Sequence, residues 1–180
     1  MLRAFMLVLG GLAALQSSSA MPLRAPRTFL QLPPLFQEQL VAEGCGIPES
    51  GFSSRISANV IQGQFAASGQ TDWAVLCTKR GRTSIRVFWG GTVNTCPAQI
   101  GAFANDTHMV LDGRDGPYYG RSISTASPAY IREAHGRLGA ELVEKLPANL
   151  THDGIEDGTE KGSSISFCDN GQWLQLPGAN

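Results

Sequence analysis

The densest run of reactive side chains in this 180-residue sequence is His152-Asp153-Gly154-Ile155-Glu156-Asp157-Gly158-Thr159-Glu160. One imidazole and four carboxylates at such close spacing are the ligand types of a divalent cation and the groups of general acid–base catalysis. The spacing matches neither an EF-hand loop nor a zinc-hydrolase helix, and no second histidine stands nearby. Gly154 and Gly158 read as loop formers, so a solvated acidic loop ahead of the last hairpin is expected here. His152, Asp153, Glu156 and Asp157 are the candidate metal or acid–base residues, and a metal-dependent or acid–base hydrolase is the alternative function they would serve.

A second polar and aromatic group is Asp112, Arg114 and Asp115 with Tyr118-Tyr119. Aromatic faces beside hydrogen-bonding groups suit a sugar or a peptide, although turn formation accounts for the same residues. Asp72 could ligate a cation, but it is read as a carboxylate accepting backbone N–H groups of the turn at Gly69. His108 and His135 stand singly and are read as structural or surface residues. Ser122, Ser124 and Ser127 lie outside any Gly-x-Ser-x-Gly elbow, and no glycine-rich phosphate loop is present. No catalytic residue, cofactor site or cofactor is assigned.

The setting for these groups follows from the N-terminus. Arg3, an apolar stretch from Ala4 to Leu15, and Gln16-Ser17-Ser18-Ser19-Ala20 read as a secretory signal peptide over residues 1–20, with Ser18 and Ala20 as the small side chains before the cut. Twelve apolar residues are well short of the roughly 20 needed to cross a bilayer, so no membrane span is expected after cleavage. The expected location is secreted or periplasmic. In such an oxidising compartment Cys45, Cys77, Cys96 and Cys168 read as two disulfides with three possible connectivities. A formal charge of −1 with 16% charged residues excludes the basic excess of a nucleic-acid binder and the charge excess of a disordered tail.

The elements that would hold the candidate groups can be placed coarsely. Residues 21–34 carry four prolines and read as an extended lead-in. Residues 35–180 read as one globular domain. A helix is expected over 35–43 behind Pro33-Pro34. Strands are expected at 56–61, 73–77 and 85–89, the last two joined by a polar loop longer than the tightest hairpin turn. A short strand at 109–111 and a turn-dense loop at 112–117 follow. Ser127-Pro128 reads as an N-cap opening a helix through Leu138, with a further helical turn at 141–146. Asn170-Gly171 between 163–168 and 172–176 signals a closing hairpin. The fold class expected is α+β: a small antiparallel sheet built from two hairpins, with two or three helices, stabilised by disulfides.

Two resemblances are carried by particular motifs. Gly63-Gln64-Phe65-Ala66-Ala67-Ser68-Gly69-Gln70-Thr71-Asp72-Trp73-Ala74-Val75 resembles an FG-GAP repeat, matching it at Gly69 and Asp72. Gln64, Ala66 and Ser68 stand where that family places its calcium ligands, so the resemblance implies a strand-turn-strand and not a calcium site. Gly44-Cys45-Gly46-Ile47-Pro48, Asn59-Val60-Ile61-Gln62-Gly63-Gln64-Phe65, Gly69 to Cys77 and the ending Gly171 to Asn180 are together similar to a group of small exported bacterial proteins of unknown function. That resemblance implies a single exported domain and a Cys45–Cys77 pair, leaving Cys96 with Cys168.

The functional expectation is a non-enzymatic binding module of the cell envelope or extracellular space, whose partner is an envelope or extracellular protein or a glycan.

Overall fold

A computed structural model describes residues 22–51, 59–93, 96–101, 110–114, 116–138 and 146–178. The expected signal peptide, His108, Asp115, the start of the 56–61 strand and most of the 141–146 turn lie outside them.

The chain enters through β1 (Leu23–Arg24), a 3-10 turn (Pro26–Thr28), α1 (Pro34–Ala42) and β2 (Ile47–Pro48), with β1 and β2 antiparallel. The proline-rich stretch packs against the domain that follows it. Its Phe29 and Leu32 are buried with Leu40, Ile47, Val60, Val75 and Phe88, because the prolines fix φ and leave these side chains aimed at a sheet. Phe36 of α1 stacks on Phe88 at 4.8 Å between ring centroids and meets Trp73 edge-on.

That first sheet is β3 (Val60–Gly63), β4 (Asp72–Lys79), β5 (Arg82–Phe88) and β6 (Gln99–Ile100), in that spatial order. β4 is central and apolar on both faces, as its sequence suggests. The period of two sends Val75 and Cys77 toward α1, while Ala74 and Leu76 face the other way with Ile85 and Val87 of β5. The β4–β5 connection is tighter than its sequence led us to expect. Lys79 pairs with Arg82, and Arg80 (φ 52°) and Gly81 (φ 72°) make a two-residue turn in the left-handed region that matches strand twist.

A small hairpin, β7 (Val110–Gly113) with β8 (Gly116–Tyr119), leads into the second main sheet. This consists of β9 (Arg121–Ala126), β10 (Gly154–Thr159), β11 (Gly162–Asp169) and β12 (Gln172–Pro177), ordered β12-β11-β10-β9 and antiparallel throughout. Ile123 and Ile155 pack from it against the first sheet, and Trp89 stacks on Trp173 across the two sheets at 6.0 Å. On its outer face Ala126, Ile165, Phe167 and Leu176 are covered by Ile131 and Ala134 of α2 (Pro128–Arg137). Ser127 caps α2 by accepting from the Tyr130 N–H at 3.2 Å, as its position before proline predicts.

The α+β expectation is overturned. The described residues form twelve strands in four antiparallel sheets against two α-helices, so the fold is β-rich, with a helix on the outer face of each main sheet. The reason lies in β9 and β10. Apart from the edge residue Ala126, their only apolar side chains are Ile123 and Ile155, and an ion pair occupies a buried position where strands normally place hydrophobes. Two disulfides, Cys45–Cys77 and Cys96–Cys168, join elements distant in sequence, with Cα separations of 5.4 and 6.0 Å. This is the pairing implied by the resemblance to small exported proteins.

Candidate functional site

Most of the 152–160 segment is the strand β10 (Gly154–Thr159) rather than an acidic loop, and its alternation decides which side chains can meet. Glu156 and Gly158 point to the outer face of the second sheet; Ile155 and Asp157 point to the inner one. Of the four metal or acid–base candidates, no two share a site. The His152 ring lies 3.1 Å from the carbonyl of Asp153. Asp153 is taken up with the first sheet: its carboxylate accepts from the Gln64 N–H at 2.9 Å and its own N–H donates to the Gln64 carbonyl at 3.0 Å. Asp157 receives both arms of the Arg121 guanidinium at 2.6 Å. Burial works against the Arg121 charge, yet the hydrogen bonds and attraction of Asp157, with Tyr119 acting in the same sense, hold its ionisation above the usual guanidinium range. Among the described residues no group of three or more His, Cys, Asp or Glu is placed to hold a metal ion.

Glu156 is different. It sits half-buried on the outer face, where α2 no longer covers the sheet. Its Oε1 accepts from the Tyr130 hydroxyl at 2.9 Å and from the Ser163 hydroxyl at 2.7 Å, and its Oε2 accepts from Ser124 at 3.2 Å. Three elements therefore converge on one carboxylate: β9 through Ser124, β11 through Ser163, and the capped first turn of α2 through Tyr130. The carboxylate opens into a trough of about 390 Å³ lined by Ser122, Ser124, Gly158, Thr159, Lys161 and Ser163 among others. This volume is in the range of small-molecule sites. Gly158 leaves the floor bare; a Cβ there would approach nothing closer than 3.8 Å. At the far end Glu160 accepts from the Tyr118 hydroxyl at 3.2 Å, and burial together with that bond pushes the Tyr118 phenol above its ordinary 10.0.

The remaining sequence candidates do not join this site. Asp72 is fully buried, accepting from the Ala66 and Gly90 N–H groups, each at 2.9 Å, and from the Gln70 side chain at 2.7 Å. It staples the loop between β3 and β4 to β4 and leaves no face for a ligand. Asp112 and Arg114 are exposed on the β7–β8 hairpin, while Tyr119 is buried between the sheets. Ser122 and Ser124 line the trough although they belong to no nucleophile elbow. The useful signal was the alternation in Arg121-Ser122-Ile123-Ser124-Thr125, a strand with a hydroxyl-bearing outer face.

Comparison with known proteins does not extend this description: no protein-family model, curated protein or solved structure is similar to the chain. Two disulfides fit an oxidising compartment, and no helix among the described residues is long and apolar enough to cross a membrane.

Proposed function

We propose that this protein is an exported, non-enzymatic binding module of the cell envelope or extracellular space, and that its ligand seats in the trough around Glu156. The observation that carries the reading is the convergence of Tyr130, Ser163 and Ser124 on a half-buried carboxylate at the head of an open, hydroxyl-lined cavity. A structural carboxylate such as Asp72 is buried and enclosed by its donors. Glu156 is instead preorganised at a surface, where a fourth donor from outside can reach Oε2. The signal-like residues 1–20 and the two disulfides support export. An envelope glycan or an extracellular protein segment is the partner this chemistry suits.

The test is a thermal-shift panel on the exported protein with soluble envelope sugars, amino sugars and short peptides, run in parallel on Glu156→Ala. A specific ligand raises Tm with concentration. The reading expects at least one compound to do so for the parent and not for Glu156→Ala. A panel in which every compound shifts both proteins equally, or neither, contradicts it.

A further inference from the structure

The hydrogen-bond directions in the trough narrow the ligand. A hydroxyl has one proton, so a serine that donates to Glu156 can act toward a ligand only as an acceptor. Ser124 is in that position, and Glu156 itself only accepts. The head of the trough therefore presents acceptors to an incoming group. Around it Glu156 and Glu160 carry two negative charges against the single positive charge of Lys161. An anion is disfavoured here, and a group made solely of donors is favoured. Along the floor Gly158 is bare, with Ser122 on one side, Ser163 on the other and Thr159 next to it. Ser163 and Thr159 donate their protons to Glu156 and to the Gly162 carbonyl and so turn acceptors to a ligand, and these oxygens together with the Ser122 hydroxyl suit the hydroxyls of a sugar ring better than the methylenes of a lysine stem.

From these observations we infer that the trough recognises an amino sugar with a free ammonium group. The ammonium sits on Glu156 and Ser124, and the ring lies over Gly158. This rests on the reading of the trough as the ligand site and adds to it the class of ligand. An N-acetylated sugar offers an amide with one N–H and a carbonyl, which loses the charge and brings an acceptor against acceptors.

The experiment is calorimetric titration of the exported protein with the glucosamine disaccharide, its di-N-acetyl counterpart and a lysine-containing tripeptide, at low and at high salt. The expected result is that the free-amine disaccharide binds about tenfold or more tighter than the acetylated one, the difference between a charge-assisted and a neutral hydrogen bond. Its affinity falls with added salt. Glu156→Gln reduces that preference. Gly158→Val, which adds a β-branched side chain to a strand floor with room for it, abolishes binding while Tm holds. Equal binding of the two disaccharides overturns the inference and leaves the trough as a ligand site. Tighter binding of the peptide overturns the sugar assignment. Failure of every ligand to respond to Gly158→Val overturns both this inference and the reading beneath it.

Discussion

Arg121 and Asp157 face each other diagonally across β9 and β10, joined by two hydrogen bonds of 2.6 Å with only 3% of the arginine side chain exposed. They lie on the opposite face of β10 from Glu156, between the two main sheets. Removing one partner leaves a buried charge uncompensated, whereas replacing both with hydrophobes of similar size does not. Asp157→Ala is expected to lose about 3–5 kcal/mol in urea unfolding. The double variant Arg121→Met with Asp157→Leu is expected within about 1 kcal/mol of the parent or above it. Equal losses in both variants would show that the pair stabilises by more than mutual neutralisation.

Asp72 gives a contrasting case, a carboxylate whose partners are N–H groups. Asp72→Ala strips acceptors from the Ala66 and Gly90 N–H groups and from Gln70. An unmade bond at a buried donor costs on the order of 1–3 kcal/mol, so a loss of about 3 kcal/mol or more is expected. Calcium added to the parent is expected to leave Tm unchanged, since no oxygen of this side chain is turned outward. A calcium-dependent rise in Tm that Asp72→Ala abolishes would contradict the structural role.

The disulfides close separate loops, with sequence separations of 32 for Cys45–Cys77 and 72 for Cys96–Cys168. Chain entropy grows only with the logarithm of loop length, giving roughly 4 kcal/mol for each. Replacing either pair with alanine is expected to cost a similar amount, and the two losses are expected to add because the loops do not overlap. Chemical denaturation of the three variants measures this. A large difference between the single-pair variants would place the stabilisation in the native state rather than in the unfolded chain.

Tyr118 titrates above the ordinary phenol value of 10.0, first through burial and second through Glu160. A group whose folded pKa is raised contributes stability that is complete below its unfolded pKa and is lost as pH climbs through the folded one. The Tyr118 contribution is thus present at neutral pH and declines above about pH 10. Site-resolved NMR titration of the phenol is expected to show a lower pKa in Glu160→Gln, still above that of a free tyrosine. No change in Glu160→Gln would remove Glu160 from the account.

Much of this architecture was legible in local signals. Ser127-Pro128 opens α2 with the cap its chemistry requires, and Asn170-Gly171 closes the last hairpin with both residues at positive φ. The apolar run of β4 placed it in the middle of its sheet. β9 and β10 were not legible, because a strand is recognised by its buried face and theirs is partly an ion pair between residues 36 apart. The Glu156 site shares that cause. Its carboxylate stood out in the sequence, but grouping it with Asp153 and Asp157 assumed a loop; once the segment is a strand, those neighbours turn away and Ser124, Ser163 and Tyr130 take their place. Gly178 illustrates the same limit. It follows the last strand with no pattern around it, yet a Cβ there would collide with the Ser163 hydroxyl that holds Glu156.

The trough as ligand site is tested most directly by amide chemical-shift mapping during titration with the glucosamine disaccharide. The expected result is saturable shifts clustered on Ser122, Ser124, Glu156, Gly158 and Ser163, with Asp72 and Asp112 unmoved. Shifts centred on the β7–β8 hairpin or the first sheet, with the Glu156 neighbourhood silent, would contradict it.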